Sequence, residues 1–349
     1  MQRALGIRRV AVSSARGTSR NSTFTVSIRR REMPSHDLHR RRLPRHTAQV
    51  KAYVACSLSA NTQQAYAADV ARFKAWGCKI PCPAARLANY VAAHAGLLKV
   101  STLLRHLAAI SHAHRSAGFE SPASSPIVKA TLRGIRRVHG VAQKQAKPLT
   151  VGMLRKLVKP VLEFSTLRNL RDRALLLVGF AGGFRRSELA GLKTGSVTFT
   201  SRGAVLRLAT SKTDPNGRGR DVAIPFGHPP LCAVRALKAW IKETVDSVEA
   251  GTEDSAPLFR RIDRYGHAGG GLCNAAIGWI LSQRMKVKGI NVEGFSAHSL
   301  RAGLVTSAAK AGVPNWAIQR QTGHRSDFMV QRYIRDLDLF EHNALKSVF

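Results

Sequence analysis

Hydrophobic residues recur at helical spacing in four segments between about Asn61 and Val138. In the first segment Tyr66, Val70 and Phe73 stand at positions i, i+4 and i+7, which places their side chains on one face of a helix. Short breaks rich in Gly, Pro and Ser separate the segments. The remaining three are Ala84 to Ala95, Thr102 to Ser116, and Pro126 to Val138. The pattern therefore predicts a compact helical domain over residues 51–138.

A polar and basic stretch, residues 139–149, follows and is typical of a linker between domains. Beyond it, apolar residues over 167–182 predict a buried helix, and alternating positions over 197–200, 204–210 and 221–225 predict three strands. Further helices are predicted over 186–192, 230–245, 272–285, 297–312, 315–322 and 326–332, and a last amphipathic run covers 337–349. The expected fold is mainly α with a small antiparallel β-sheet, and its second domain, an α+β unit, spans 150–349.

The charge of the chain limits the classes of function that it can have. The 349 residues include 56 Lys and Arg against 20 Asp and Glu, a formal net charge of +36. Residues 1–50 contain twelve arginines and two acids, which predicts a disordered basic arm. An organelle transit peptide or a misassigned start codon would show the same composition. Between Val70 and Leu162, sixteen Lys and Arg face a single acidic residue. A surplus of this size indicates a polyanionic partner and disfavours an ordinary small-molecule enzyme.

The composition also disfavours several other classes of protein. With 44% hydrophobic residues the chain can fill a core, so disorder over its whole length is not expected. Its longest nearly apolar stretch, Ala174 to Phe184, is far shorter than the roughly 20 residues of a membrane span. Five cysteines, an odd number, do not make a disulfide framework and suit a reducing compartment. Cys78 and Cys82 have C-x₃-C spacing, but the second pair of ligands that a zinc site needs does not follow. The chain has no phosphate-binding Gly-rich loop and no cluster of acids for two metals, so we expect neither cofactor nor metal.

The C-terminal third contains the residues best suited to phosphate chemistry. His298 and Arg301 stand at positions i and i+3, on one face of a helix that Ser296 is expected to cap. An imidazole and a guanidinium near a helix N-terminus make a good receptor for phosphate. Tyr333 follows His324 by nine residues and has Arg332 and Arg335 on either side. Taken singly, the His–Arg pair could be a surface pair and the tyrosine a packing residue.

Taken together, these residues resemble the tyrosine recombinase (phage integrase) family, whose pattern is H-x-x-R, then G-H, then a tyrosine nine residues later. The segment Ala181 to Leu189, AGGFRRSEL, is similar to the family's first box and places its catalytic arginine at Arg185. Lys212, 27 residues further on in a predicted hairpin, matches the catalytic lysine. The box departs from the family at Phe184 and Arg186, and we expect Arg186 on the solvent side of its helix.

The resemblance, which covers about Asn61 to Phe349, implies a function for each matched residue. Arg185 and Arg301 would bind the non-bridging oxygens of the scissile phosphate, and His324 would hydrogen-bond the same group. Lys212 would protonate the leaving 5′ oxygen. His298 would assist deprotonation of Tyr333, the nucleophile that forms a 3′-phosphotyrosyl intermediate. Neither metal nor cofactor is required. Glu188 is interpreted as structural, holding a neighbouring backbone group or arginine.

The resemblance also implies partners and an assembly. It predicts a site-specific DNA recombinase with a SAM-like helical core-binding domain, a tetramer on duplex DNA, and a bacterial cytoplasmic location. No membrane partner and no small-molecule substrate are expected. The amphipathic run 337–349 would dock between protomers, although packing on its own domain would fit the pattern as well. Two alternatives stay open: a type IB topoisomerase-like enzyme, and a DNA-binding protein that has lost catalysis.

Overall fold

The computed structural model describes residues 57–141, 145–209, 217–244 and 253–334, together with isolated positions at 47, 49, 50, 53, 54, 214 and 345. Three predicted parts lie outside the described residues: the basic arm except positions 47, 49 and 50, Lys212, and the C-terminal amphipathic run except Leu345. The chain divides between residues 142 and 143 into two compact units.

Four helices of the first unit are described from end to end. They are α1 (Ala60–Ala75), α2 (Ala84–Ala93), α3 (Val100–Ser116) and α4 (Pro126–His139). Helix α1 begins where the Ser59 hydroxyl accepts the amide of Thr62, at 3.3 Å. An ion pair joins α3 to α1: Arg105 Nε, on an exposed side chain, lies 2.7 Å from Oδ2 of the buried Asp69. The apolar faces enclose one core, built around Phe73, Leu87, Tyr90, Leu103 and Ile110. The predicted helices are confirmed, with ends that differ by a few residues.

The second unit combines helices with two small antiparallel sheets. In chain order its elements are α5 (Val151–Leu157), α6 (Thr166–Ala181), α7 (Arg186–Ala190), β1 (Val197–Thr200), β2 (Gly203–Leu208), β3 (Arg220–Pro225), α8 (Ala233–Lys242), β4 (Arg260–Ile262), β5 (Ala268–Gly271), α9 (Asn274–Val287), α10 (His298–Lys310), α11 (Asn315–Thr322) and α12 (Asp327–Ile334). The mainly helical fold class with a small antiparallel sheet is therefore confirmed.

The three predicted strands form one sheet in the order β1-β2-β3, with both pairs antiparallel. Leu206 pairs with Val197 on one side and with Val222 on the other, and Leu206 and Val222 are buried in the core. The sheet is thus half-buried, which explains the alternation that the sequence shows. Strand β3 begins at Arg220, one residue earlier than predicted.

Two elements of the second unit have no counterpart in the sequence pattern. Helix α5 has only seven residues, too few to show helical periodicity. The hairpin of β4 and β5 includes the run Ala268–Gly271, AGGG, which lacks the alternating side chains of a typical strand. Its turn is held instead by Asp263, whose Oδ1 accepts the backbone amides of Tyr265 (2.8 Å) and His267 (2.9 Å).

Helix α6 is the central helix of the second core, and α10 packs against it. Residues 174–178 of α6 are all buried, as expected for a helix that is apolar on every side. The close approach of α10 depends on Gly303. A Cβ atom there would lie 2.2 Å from the carbonyl oxygen of Leu149 and 2.8 Å from the Phe180 ring. Gly303 therefore sets the position of the helix that carries His298 and Arg301.

Over the described ranges, no helix is both long enough and apolar enough to cross a membrane. The same ranges contain no group of three or more His, Cys, Asp or Glu residues that could hold a metal ion.

Substitution Gly303→Ala should destabilise the second unit by about 1–3 kcal/mol, because a methyl group would be forced against the backbone of Leu149. Gly152→Ala, in α5 of the same unit, meets only Thr150 Oγ1 at 4.0 Å and should stabilise by about 0.4–1 kcal/mol. Thermal or urea unfolding measures both changes. Equal stability of the two variants would contradict the packing described for α10.

Candidate functional site

Five of the six predicted site residues are described, and they lie together in the second unit. Hydrogen bonds, ring contacts and electrostatic interactions connect them. They come from the segment before α7, from α10, from the end of α11 and from α12. The five are Arg185, His298, Arg301, His324 and Tyr333. Lys212, the sixth, lies outside the described residues.

Arg185 stands directly before α7 and is held by Glu188 of that helix. The Arg185 backbone amide donates to Glu188 Oε2 at 2.9 Å, and its Nη1 donates to Oε1 at 2.6 Å. Glu188 is buried, whereas Arg186 is exposed. The interpretation of Glu188 as a residue that holds a neighbouring backbone group and arginine is confirmed, and Arg186 lies on the solvent side as expected.

The Glu188 carboxyl stays ionised in this setting. Burial by itself would raise its pKa, but hydrogen bonds from Arg185 and the charges of Arg185 and Arg220 outweigh burial and hold the pKa below its ordinary value. The carboxylate therefore keeps its negative charge between two guanidinium groups, Arg185 at 2.6 Å and Arg220 at 3.4 Å.

Arg301 is almost completely buried, at 1% exposure. Its Nη1 donates to two backbone carbonyls, those of Gly183 and Thr322, each at 2.6 Å. Its Nη2 is buried and has no hydrogen-bond partner among the described residues. Burial, followed by the nearby charge of Arg185, lowers the Arg301 pKa to about 10. The guanidinium is still charged at neutral pH, and its free N–H groups can bind an anion.

His298 and Tyr333 meet at hydrogen-bond distance. His298 Nε2 lies 2.7 Å from Tyr333 Oη, although the two residues are 35 positions apart. His298 opens α10. The N-cap position is Ala297 and not Ser296 as predicted, although the Ser296 hydroxyl accepts the amide of His298 at 3.2 Å. Desolvation of the ring by the surrounding protein is the largest cause that lowers the His298 pKa, and the charges of Arg301 and Arg185 follow. The imidazole is therefore neutral at physiological pH and can accept a proton from the tyrosine.

His324 follows α11 directly after Gly323, which adopts a left-handed φ of 70°. The imidazole is 6% exposed, and its Nδ1 lies 2.7 Å from Thr322 Oγ1. Its ring centroid is 5.5 Å from that of Tyr333. Burial, followed by the positive charges around it, lowers the His324 pKa to about 3. His324 is thus a neutral group inside a cationic site.

Arg220 is a member of this site that no sequence pattern indicated. From the start of β3 its Nη1 donates to the carbonyl of Gln321 at 2.9 Å, and its Nη2 lies 3.4 Å from Glu188 Oε2. Burial lowers its pKa, and its Nε is buried without a hydrogen-bond partner in the described part of the chain. Among 56 cationic residues, only its place at the strand start could have drawn attention to it.

The site therefore offers converging cationic groups beside a tyrosine and a neutral base. Among the described residues, the carboxylate of Glu188 contacts Arg185 and Arg220, and its charge also acts on Arg301. Three guanidiniums therefore lie around this carboxylate in the described part of the site. This arrangement suits an anion with several oxygens, such as a phosphodiester, and a hydroxyl nucleophile placed next to it.

The chain is similar to proteins of one family over most of its length. Residues 147–339 match the phage integrase family. An integrase/recombinase xerD homolog of Selenomonas ruminantium is 35% identical over 300 residues, which cover 83% of this chain and 85% of the relative. Recombinase cre of Escherichia phage P1 is 25% identical over 257 residues, which cover 69% and 72%.

Solved structures share the fold. The integrase of the Tn1549 transposon, in complex with transposon right end DNA, superposes with a TM-score of 0.59 at 15% identity and covers 86% of this chain and 97% of its own. A lambda integrase dimer bound to a COC′ core site gives a TM-score of 0.57 at 16% identity and covers 82% and 76%.

Substitution Glu188→Gln should lower the melting temperature of the second unit at pH 7 by about 2 °C or more, the shift that about 1 kcal/mol produces in a domain of this size. The folded pKa of Glu188 is depressed, so its contribution is present above its unfolded pKa and is lost as the pH falls through its folded pKa. The difference from wild type should therefore shrink on acidification.

Thermal unfolding between pH 7 and pH 3.5 measures that difference. Glu243→Gln, at an exposed position after α8, is the matched control and should leave stability nearly unchanged at every pH. A difference between Glu188→Gln and wild type that stays constant over the whole range would contradict the assigned charge.

Proposed function

The chain belongs to the phage integrase family, and from this premise we propose that Tyr333 is the nucleophile with which it cuts and rejoins DNA. Family membership makes it a site-specific recombinase, a DNA strand-transferring enzyme. One observation supports the assignment of the nucleophile above all others: Tyr333 Oη lies 2.7 Å from the neutral base His298, beside the Arg185 and Arg301 guanidiniums.

The reaction is a transesterification. Tyr333 Oη loses its proton to His298 Nε2 and attacks the phosphorus atom, which forms a P–O bond to tyrosine and breaks the bond to the 5′ oxygen. The product is a 3′-phosphotyrosyl bond and a free 5′ hydroxyl. Rejoining reverses these steps with a 5′ hydroxyl of another strand. The number of phosphoester bonds is unchanged, so the reaction needs no ATP.

Arg185 and Arg301 are proposed to bind the non-bridging oxygens, on which negative charge grows during attack. Arg301 is supported by its buried Nη2, which lacks a partner among the described residues and lies in a desolvated setting. Arg185 is supported by its fixed orientation against Glu188. His324 is proposed to contact the same phosphate.

Lys212 is proposed to protonate the leaving 5′ oxygen, on the strength of its position in the family motif. The ordinary pKa of a lysine, about 10.4, must fall for this role. Neighbouring positive charges would produce such a fall.

The partner is proposed to be duplex DNA, bound by a tetramer in which two sites are exchanged. The net charge of +36 supports a polyanionic partner. The Tn1549 integrase and the lambda integrase were solved with DNA, the latter also as a tetramer bound to a Holliday junction. The helical unit of residues 51–138 is proposed as the core-binding domain, and the run 337–349 as the segment that docks between protomers. The bacterial and phage origin of the relatives supports a bacterial cytoplasmic location.

The topoisomerase-like alternative and the catalytically silent alternative receive no support from the related proteins, which are named as recombinases or integrases.

Substitution Tyr333→Phe should abolish a covalent adduct that the wild type forms. The probe is a pool of duplexes with randomised cores, nicked so that a cleaved strand diffuses away and traps the intermediate. Wild type should give an adduct that survives denaturing electrophoresis, and the variant should give none while it still shifts DNA in a native gel. An adduct that persists in Tyr333→Phe would show that another residue is the nucleophile, and no adduct from wild type would exclude the proposed activity.

Substitution Lys212→Ala should slow cleavage without loss of DNA binding, because the leaving alkoxide then lacks its proton donor. On the duplex recovered from that pool, a bridging sulfur at the 5′ position makes a leaving group that needs no proton. The variant should then cleave at nearly the wild-type rate in single-turnover assays. Equal impairment on oxygen and sulfur substrates would exclude Lys212 as the acid.

A further inference from the structure

The Thr322 hydroxyl makes two hydrogen bonds that together locate a proton. Its Oγ1 lies 2.6 Å from the carbonyl oxygen of Ile318, and 2.7 Å from His324 Nδ1. A carbonyl oxygen only accepts, so the single hydroxyl proton of Thr322 is donated to Ile318. Towards His324 the hydroxyl can then only accept, and the proton on that bond must belong to Nδ1.

Burial leaves the Thr322 hydroxyl and the His324 ring no alternative to this hydrogen bond. Thr322 is 0% exposed and His324 is 6% exposed, so water is not available to either partner as a substitute. Breaking the Thr322–His324 bond would leave a buried polar atom without a partner, at a cost of about 1–3 kcal/mol. A neutral imidazole has one N–H proton, shared between two possible nitrogen positions. With that proton on Nδ1, the other nitrogen, Nε2, offers only a lone pair.

His324 is neutral because of the groups around it. Burial is the largest cause of its low pKa, and the charges of Arg301, Arg185, His298 and Arg220 follow. The groups that face it come from four elements besides its own, and no carboxylate is among those that shift it. They are Arg301 and His298 on α10, Arg185 before α7, Arg220 on β3, and Tyr333 on α12.

We propose that Thr322 is a positioning residue that fixes the tautomer of His324, so that Nε2 is a hydrogen-bond acceptor in the free protein and must bind a proton before it can contact a DNA phosphate. The second half of this statement rests on the proposed function. The non-bridging oxygens of a phosphodiester are acceptors too, so a neutral His324 with an unprotonated Nε2 has no hydrogen to give them.

Proton uptake supplies that hydrogen. An incoming phosphate raises the pKa of the imidazole in two ways: its negative charge attracts the proton directly, and it offsets the charges of Arg301, Arg185 and Arg220 that lower this pKa in the absence of phosphate. One proton then moves from solvent to Nε2, and the imidazolium donates from Nδ1 to Thr322 and from Nε2 to the phosphate oxygen. The proton count of the transesterification itself is unchanged. Binding of the scissile phosphate is thereby coupled to the uptake of one proton at each active site.

The tautomer can be measured in the free protein without DNA. Two-bond ¹H–¹⁵N spectra of histidine-labelled protein distinguish the two neutral forms, and the His324→Gln variant assigns the signal. Wild type and Thr322→Ser should show His324 with Nδ1 protonated at pH 7. Thr322→Val, which keeps the shape but cannot accept, should lose this preference. A wild-type signal with the proton on Nε2, or a Thr322→Val spectrum identical to wild type, would overturn the proposal.

The bound state tests the coupling. In the same spectra of Tyr333→Phe saturated with the recovered duplex, which it cannot cleave, both nitrogens of His324 should be protonated at pH 7. An unprotonated Nε2 in that complex would overturn the proton uptake. Because the spectra of the free protein involve no DNA, failure of the recombinase assignment would leave the first result intact and is distinguishable from it.

The rate of adduct formation gives an independent reading. Wild type needs the proton on His324, whereas Thr322→Val can place its one neutral proton on Nε2. The ratio of the Thr322→Val rate to the wild-type rate should therefore rise between pH 7 and pH 9, by up to about tenfold for each unit above the pKa of the bound imidazole. Ionisation of Lys212 or His298 affects both proteins alike and cancels in the ratio. A ratio that stays flat would overturn the proposal.

Discussion

Three buried or half-buried guanidiniums around the Glu188 carboxylate are the constraint on which the rest of the described site depends. Glu188 lies 2.6 Å from Arg185 and 3.4 Å from Arg220, while Arg301 has no carboxylate among its hydrogen-bond partners. Such charges are costly to remove from water unless they are paired. Burial, followed by the charges of the neighbouring arginines, lowers the pKa of Arg301, of His298 and of His324. A bound phosphate would supply the missing negative charge, which is how the site gains affinity and catalytic power together.

The same arginines also organise the backbone. Arg301 binds the carbonyls of Gly183 and Thr322, and Arg220 binds the carbonyl of Gln321. The segment before α7 and the end of α11 are thereby tied to α10 and β3. In consequence one network holds both the groups that we propose to bind phosphate and the groups that we propose to transfer protons, and a change in either set is expected to affect the other.

Much of the fold and most of the site could be predicted from the sequence, for a physical reason. Helical periodicity over Tyr66, Val70 and Phe73, and alternation around Leu206, report burial directly. The spacings within the site are short: Arg301 follows His298 by three residues, and Tyr333 follows His324 by nine. Arg220 could not be found this way, because its role depends on a contact with Glu188 across 32 residues. The tautomer that Thr322 imposes depends on distances between atoms, and the Gly-rich hairpin depends on backbone pairing, so neither leaves a pattern.

The central claim is that Arg301 acts by neutralising charge on the scissile phosphate. The most direct test compares wild type with Arg301→Ala in single-turnover cleavage of the recovered duplex, with either an ordinary phosphate or an uncharged methylphosphonate at the scissile position. On phosphate the variant should be slower by about 10²–10³. A methylphosphonate is uncharged before attack and has a single non-bridging oxygen on which charge can grow, so the difference should fall to less than about tenfold. An equal loss on both substrates would contradict the claim and would show that Arg301 serves only to hold the backbone.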